Sequence, residues 1–258
     1  MTMNDDPYAS PPPPAPFRSP PPATFGGGGA FAPGEVISAG WDRFGKHVLV
    51  LVGAYVVTVM VNEVFQAPLI GVDVLERLRP ELVAWAPSRI MRLLIVFPFG
   101  FVVGSFLDVG LLRLTLQVAR GESPSFGTIF SGADRWLSFM GLSVLIWTGV
   151  AIGLLLLIVP GVILGLGWSM APYYLVDANL GPVESLRASW GATKGVRGSL
   201  AVLFLATFGI GLLGLASCCV GMLAAAPLAM VIHAVAYLRI AGAGASLGRA
   251  AQPADWEG

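Results

Sequence analysis

Residues 182–219 read PVESLRASWGATKGVRGSLAVLFLATFGIGLLGLASCC, a short charged segment that leads directly into a long apolar one. The apolar part, residues 199–219, approaches the ~20 residues that a helix needs to cross a hydrocarbon layer of about 30 Å. A second apolar run occupies residues 221–240, after a turn near Cys219 to Gly221. So short a connection predicts two antiparallel helices, which would form a transmembrane hairpin.

Four more apolar runs of this kind lie earlier in the chain than residue 199, at residues 47–67, 92–117, 137–158 and 161–178. Pro160 and Gly161 separate the last two, which again predicts a hairpin. The connection between the first two is longer, and its stretch from Val74 to Trp85 carries apolar residues at helical spacing. We therefore predict an all-α integral membrane protein with a six-helix bundle, and an amphipathic loop on the outer surface of the bilayer.

The composition supports lipid as the solvent of this chain. Hydrophobic residues make up 55% of the 258 residues and charged residues only 12%, about half of the usual charged fraction. The net charge is zero, so the chain has no basic excess for binding nucleic acid. The two cysteines, Cys218 and Cys219, are adjacent in an apolar run, which fits neither a disulfide framework nor a zinc site. No cofactor, metal site or catalytic residue is predicted.

The two ends of the chain differ from the middle in composition. Residues 1–32 hold clusters of proline and glycine with little that could pack, which predicts a disordered cytoplasmic tail. The membrane domain is predicted over residues 33–245, and residues 246–258 are expected to form a short flexible tail. The N-terminus lacks the features of a cleaved secretory signal.

The basic residues predict the orientation of the bundle, because lysine and arginine are retained on the cytoplasmic side. With both termini inside, eleven of them are cytoplasmic and four, Arg77, Arg79, Arg89 and Arg92, are outside. We therefore expect both termini in the cytoplasm.

A short amphipathic segment recurs before three of the six spans. Pro33, Glu35, Ile37, Ala39 and Trp41 align without a gap to Pro182, Glu184, Leu186, Ala188 and Trp190. A looser copy, from Gly132 to Trp136, parallels residues 40–44. The pattern predicts three pseudo-repeats, each an interfacial helix followed by a transmembrane hairpin. In the first copy, Ile37, Trp41 and Phe44 are expected to form the apolar face.

The three interfacial helices have two interpretations. They anchor the hairpins at headgroup depth, or they form a cytoplasmic collar that binds acidic lipid headgroups or a protein partner. The predicted collar residues are Arg43, Arg135, Asp177, Glu184, Arg187 and Lys194. Asp177 has a further structural interpretation, in which it caps or positions the junction before the third interfacial helix.

The stretch from Pro160 to Gly195 contains Ala171-Pro172-Tyr173-Tyr174, Asp177, Gly181-Pro182 and Lys194-Gly195. With these motifs the chain, over residues 34–245, resembles a poorly characterised bacterial family related to the membrane domain of glycerophosphoryl diester phosphodiesterase. The resemblance implies a bacterial cytoplasmic-membrane protein without an agreed activity. In fused members of that family the phosphodiesterase is a separate soluble barrel, and this chain has no room for one.

Few ionisable residues fall inside the predicted spans, and such residues mark candidate sites because they are costly in lipid. Asp108 and Arg113 lie in the second span and His233 in the sixth, with Asp108 and His233 at a shared depth. Their pairing would be either a structural bond between helices or a site for a proton or polar solute.

The function that these features favour is that of a non-enzymatic accessory or organising protein. A transporter or channel subunit for a small solute is the alternative. Membrane lipids and a protein at the cytoplasmic face are the expected partners, and the sequence does not determine the oligomeric state.

Overall fold

The computed structural model describes residues 32–79, 81, 89–217 and 220–250. In these ranges the chain is helical and contains no strand. The helices are α1 (Pro33–Lys46), α2 (Val48–Leu78), α3 (Arg89–Arg120), a 3₁₀ helix (Phe126–Asp134), α4 (Trp136–Leu156), α5 (Ile158–Trp168), α6 (Ala171–Asp177), α7 (Pro182–Ala192), α8 (Arg197–Ala216) and α9 (Val220–Ala250). Residues 1–31 of the predicted tail, residues 251–258 and the cysteine pair lie outside the described residues.

Five stretches of the described chain are long and apolar enough to cross a membrane. They are Pro98–Arg120, Trp136–Leu156, Ile158–Asp177, Arg197–Ala216 and Gly221–Gly242. A sixth is present if Pro33–Lys46 and Val48–Val64, which meet at 88°, form one bent span. The protein is therefore a helical multi-pass membrane protein with five to six candidate spans.

Helices α3 and α9 form the centre of the bundle. About half of each candidate span is buried there, 56% in α3 and 50% in α9, against 17% in α4. Leu114 and Val118 of α3 and Ile232 and Ala236 of α9 are among the side chains with almost no exposure. The remaining helices pack around this pair and leave their large apolar side chains on the outer surface, as expected in lipid.

Two boundaries differ from the prediction because of proline. Pro160 was expected in the turn between the third and fourth spans, but that turn is at Leu157 and Pro160 lies in the first turn of α5. Proline fits the first helical turn because its missing N–H has no partner there. The fourth span is also not one regular helix, since α6 begins again at Ala171 with Pro172 in its first turn.

The predicted outer loop begins as helix. Helix α2 extends well beyond residue 67. Its end carries the exposed apolar residues Val74, Leu75 and Leu78. The helix ends before Pro80, whose ring disfavours the helical conformation of the residue before it. Residues 82–88, including Trp85 of this loop, lie outside the described residues.

Candidate functional site

Helix α1, the first of the three short segments, packs against α9 through a face that contains a glycine. Val36, Gly40 and Phe44 are buried, whereas Trp41 is 61% exposed. A Cβ at Gly40 would lie 2.6 Å from Cγ1 of Ile232, so only glycine permits this approach. Of the three residues expected on the apolar face, Phe44 packs on the bundle and Trp41 faces outward, beside the close contact at Gly40.

Helix α7, the third segment, buries the corresponding positions. In the gap-free alignment of Pro33 with Pro182, Val36, Gly40 and Phe44 match Ser185, Ser189 and Thr193, and all three are fully buried. Ser189 Oγ donates a hydrogen bond to the Gly167 carbonyl at 2.7 Å and accepts one from the Met170 N–H at 3.2 Å. The inner face of α7 is thus bonded to the end of α5 and the start of α6.

The middle segment is a 3₁₀ helix instead of the expected amphipathic α-helix. It packs closely on α3, because a Cβ at Gly132 would overlap the Phe106 carbonyl oxygen and one at Gly110 would overlap the Ile129 carbonyl oxygen. Ile129 is buried, whereas Phe126 and Phe130 are 43% and 55% exposed. Two glycines, one on each helix, therefore permit the close approach of the 3₁₀ helix and α3.

Ion pairs tie two of the segments to the same helices that they pack against. Glu35 of α1 pairs with Arg239 of α9 at 2.9 Å, and Asp134 of the 3₁₀ helix pairs with Arg113 of α3 at 2.7 Å. Arg113 also donates a hydrogen bond to the Ser131 carbonyl. The hydrogen bond from Arg113 is the largest of the effects that hold the pKa of the Asp134 carboxyl below its usual range.

A polar cluster joins the ends of α3 and α6 to the interior of α9, and these three helices come from different hairpins. Arg120, the last residue of α3, is ion-paired with Asp177 at the end of α6, and both side chains are only about one-sixth exposed, at 15% and 16%. Tyr237 of α9 donates a hydrogen bond to Asp177 Oδ2 at 2.9 Å. The Tyr237 ring stacks on Tyr173 and meets Tyr174 edge-on, with centroids 5.4 and 4.9 Å apart.

The predicted collar residues divide into surface and interior groups. Arg187 and Lys194 are exposed, and Arg43 and Arg135 are half-buried. Glu184 accepts a hydrogen bond from the Gly181 N–H at 3.1 Å and so caps the start of α7. Asp177 is not on the surface with them, because it is part of the polar cluster with Arg120 and Tyr237.

The residues of the predicted intramembrane site lie in separate surroundings. Asp108 of α3 lies within electrostatic range of Tyr55 of α2. The His233 ring packs on Phe204 of α8, with centroids 4.6 Å apart. Arg113 is ion-paired with Asp134. In the described part of the chain, no ion pair or hydrogen bond therefore joins Asp108, His233 and Arg113 to one another.

The roles of Arg120 and Tyr237 were not predicted from the sequence. Arg120 contributed only to the charge count, and Tyr237 was not distinguished from other aromatic residues of its span. Arg120 and Asp177 end their helices at the same predicted side of the membrane, and this was a usable signal. Among the described residues, no three His, Cys, Asp or Glu side chains lie close enough together to hold a metal ion.

Comparison with known proteins gives distant relatives in mycobacteria. The chain is 27% identical over 230 residues to an uncharacterised protein of Mycobacterium tuberculosis, across 82% of this chain and 69% of the relative. An uncharacterised protein of Mycobacterium bovis matches at 27% over 231 residues with the same coverage. No model of a known protein family matches the chain, and no solved structure matches it.

Proposed function

We propose that this protein is a non-enzymatic accessory or organising component of the bacterial cytoplasmic membrane, which binds anionic lipid headgroups or a protein partner. One observation carries the proposal. Each short segment is fixed to the bundle by its inner face and leaves both aromatic and basic side chains accessible on or beside it. The aromatic residues are Trp41, Phe126, Phe130 and Trp190, and the basic residues are Arg43, Arg135, Arg187 and Lys194.

This combination suits the boundary between lipid and water. Tryptophan places an apolar ring at headgroup depth, and lysine or arginine near it attracts anionic lipids with about 1 kcal/mol each. Arg197 lies over the Trp190 ring at 3.8 Å from its centroid and adds a further cation at the start of α8. The segments that carry these side chains are packed on the bundle, and two of the three are also ion-paired to it.

The packing of the segments also supports a threefold duplication. The equivalent positions in the three segments each contact the second span of a different hairpin. Gly40 contacts α9, Gly132 contacts α3, and Ser189 contacts α5. Each segment then contacts the hairpin that precedes it, and α1 closes the ring on the last hairpin. The proposed collar consists of these three segments, each packed on a different hairpin.

The orientation is part of the proposal, with the collar and both termini in the cytoplasm. Single cysteines at the exposed positions Ser38 and Arg79 test it in a background in which Cys218 and Cys219 are replaced by serine. A membrane-impermeant thiol reagent added to intact cells should label the cysteine of Arg79→Cys and not that of Ser38→Cys. The reverse pattern would place the collar outside. The relation to the membrane domain of glycerophosphoryl diester phosphodiesterase likewise stays a proposal.

The collar itself is tested by charge reversal at Arg135, Arg187 and Lys194. We expect the triple glutamate variant, extracted with its membrane into polymer nanodiscs, to lose the anionic lipids or the protein that co-purify with the native chain. The matched control reverses Arg77 and Arg79, which are exposed at the far end of α2. Mass spectrometry identifies what is bound, and equal recovery from all three proteins would contradict the proposal.

A further inference from the structure

The contact between α2 and α3 carries polar side chains within two candidate spans. Asn62 Oδ1 of α2 lies 3.9 Å from the place of a Cβ at Gly104 of α3. Asp108 follows Gly104 by one helical turn and Tyr55 precedes Asn62 by two turns, so each pair lies on one face of its helix. Tyr55 is half-buried, and the neighbouring Thr58 is buried with its hydroxyl bonded to the Ala54 carbonyl at 3.0 Å.

Asp108 differs from the acidic residues at the edges of the bundle. Glu35, Asp134 and Asp177 are each ion-paired, with Arg239, Arg113 and Arg120 respectively. In the described chain, no arginine or lysine forms an ion pair with Asp108, and Tyr55 of the neighbouring helix α2 lies within electrostatic range of it. A carboxylate in a spanning helix needs a compensating positive charge, because neither lipid nor the apolar core solvates it.

The charged groups of the surrounding elements do not supply that charge. On α3, Arg113 is bonded to Asp134 and Ser131 of the 3₁₀ helix. Helix α2 contributes Tyr55 and, farther along, the exposed Glu63. Helix α9 contributes three polar residues. His233 packs on Phe204, and Tyr237 donates a hydrogen bond to Asp177. Arg239 is paired with Glu35.

We infer that Asp108 and Tyr55 form a binding site for a small monovalent cation, either a proton or a sodium ion, between α2 and α3. The carboxylate is the charged ligand, and the Tyr55 hydroxyl is the hydrogen-bond partner of the carboxyl group or a neutral oxygen ligand for sodium. Asn62, which is exposed, lies on the same contact between α2 and α3. This site goes beyond the proposed function and does not depend on it, since the collar uses other residues.

Carbodiimide labelling of the protein in nanodiscs tests the inference, with the adduct on Asp108 measured by mass spectrometry. The reagent reacts with protonated carboxyl groups in apolar surroundings, where the carboxyl O–H adds across one C=N bond. If a proton is the ligand, labelling should fall about tenfold per pH unit above its midpoint. If sodium is the ligand, sodium chloride should suppress labelling at constant pH, and choline chloride should not.

Three variants separate the site from general damage to the fold. Asp108→Asn should lose the adduct, Asp108→Glu should retain it, and Tyr55→Phe should shift its dependence on pH or sodium. Labelling of the native chain itself needs no variant, so the test holds even if one variant fails to fold. The inference is overturned if native Asp108 is unlabelled at every pH from about 5 to 9, or if labelling responds to neither pH nor sodium.

Discussion

The hydroxyl of Tyr237 donates a hydrogen bond to Asp177 Oδ2 at 2.9 Å, on the same carboxylate that Arg120 neutralises. These three residues come from α9, α6 and α3, which belong to the second spans of three different hairpins. A single carboxylate thus connects three helices of the bundle. Because the surroundings are largely closed to water, its removal would leave Arg120 without a compensating charge.

We therefore expect Asp177→Ala to lower the free energy of unfolding by about 3 to 5 kcal/mol. Tyr237→Phe removes only one hydrogen bond to a charged group and should cost about 1.5 kcal/mol. Unfolding in detergent micelles measures both. Glu81→Ala is the control, since it breaks the exposed pair with Arg79 and should cost less than about 1 kcal/mol. Equal losses from Asp177→Ala and Glu81→Ala would show that the polar cluster does not stabilise the bundle.

Ser189→Ala should loosen α7 from the bundle. The substitution leaves the buried Met170 N–H without its acceptor and the Gly167 carbonyl without its strongest donor, so we expect a loss of about 1 to 3 kcal/mol. Ser38→Ala is the matched control on α1, where the serine is exposed and bonds only the nearby Glu35 carbonyl. The control should change the thermal midpoint little, and a similar shift in both variants would argue against a special role for Ser189.

Gly132→Ala should disrupt the contact between the 3₁₀ helix and α3. The new methyl group would overlap the Phe106 carbonyl oxygen, which is backbone and cannot rotate away, so we expect a cost of about 1 to 3 kcal/mol. Gly209→Ala in α8 is the control, since nothing lies within 4 Å of its added Cβ. That variant should be neutral or slightly more stable, because alanine favours helix. A native-like thermal midpoint for Gly132→Ala would contradict the close approach.

The pair of Asp134 and Arg113 should make stability depend on pH. A carboxyl whose pKa is lowered by folding contributes stability above its unfolded pKa of about 3.9, and this contribution is lost as pH falls through the folded pKa. The native chain should therefore have a higher thermal midpoint than Asp134→Asn near pH 7, and the difference should shrink toward pH 3. Arg113→Gln should abolish the same component, and an unchanged difference at low pH would exclude this pair as its source.

Much of the helical organisation could be predicted because it follows from local properties of the chain. The apolar run from residue 199 to residue 219 can satisfy its backbone in lipid only as a helix, and α8 occupies Arg197–Ala216. Pro182 and Glu184 predicted the start of α7, since both suit a first helical turn. The boundaries at Pro160 and Pro172 were missed because proline both ends and begins helices, and packing decides between the two.

The candidate site was predictable only in part. Arg187 and Lys194 were expected at an exposed surface and are exposed, because charged side chains on a short segment beside an apolar run have few buried alternatives. Asp108 and His233 were expected to meet because they share a depth. Depth does not specify rotation about the helix axis, and the two side chains face different neighbours.

By itself, the sequence determined that this chain is a helical membrane protein, where its spans lie, and where short charged segments interrupt them. These features depend on residues near one another in the chain. Only the tertiary structure decided that Gly40 meets Ile232, that Ser189 bonds Gly167, and that Asp177 joins Arg120 to Tyr237. Each of these contacts depends on the rotation and crossing of two helices, which the packing of all their side chains sets together.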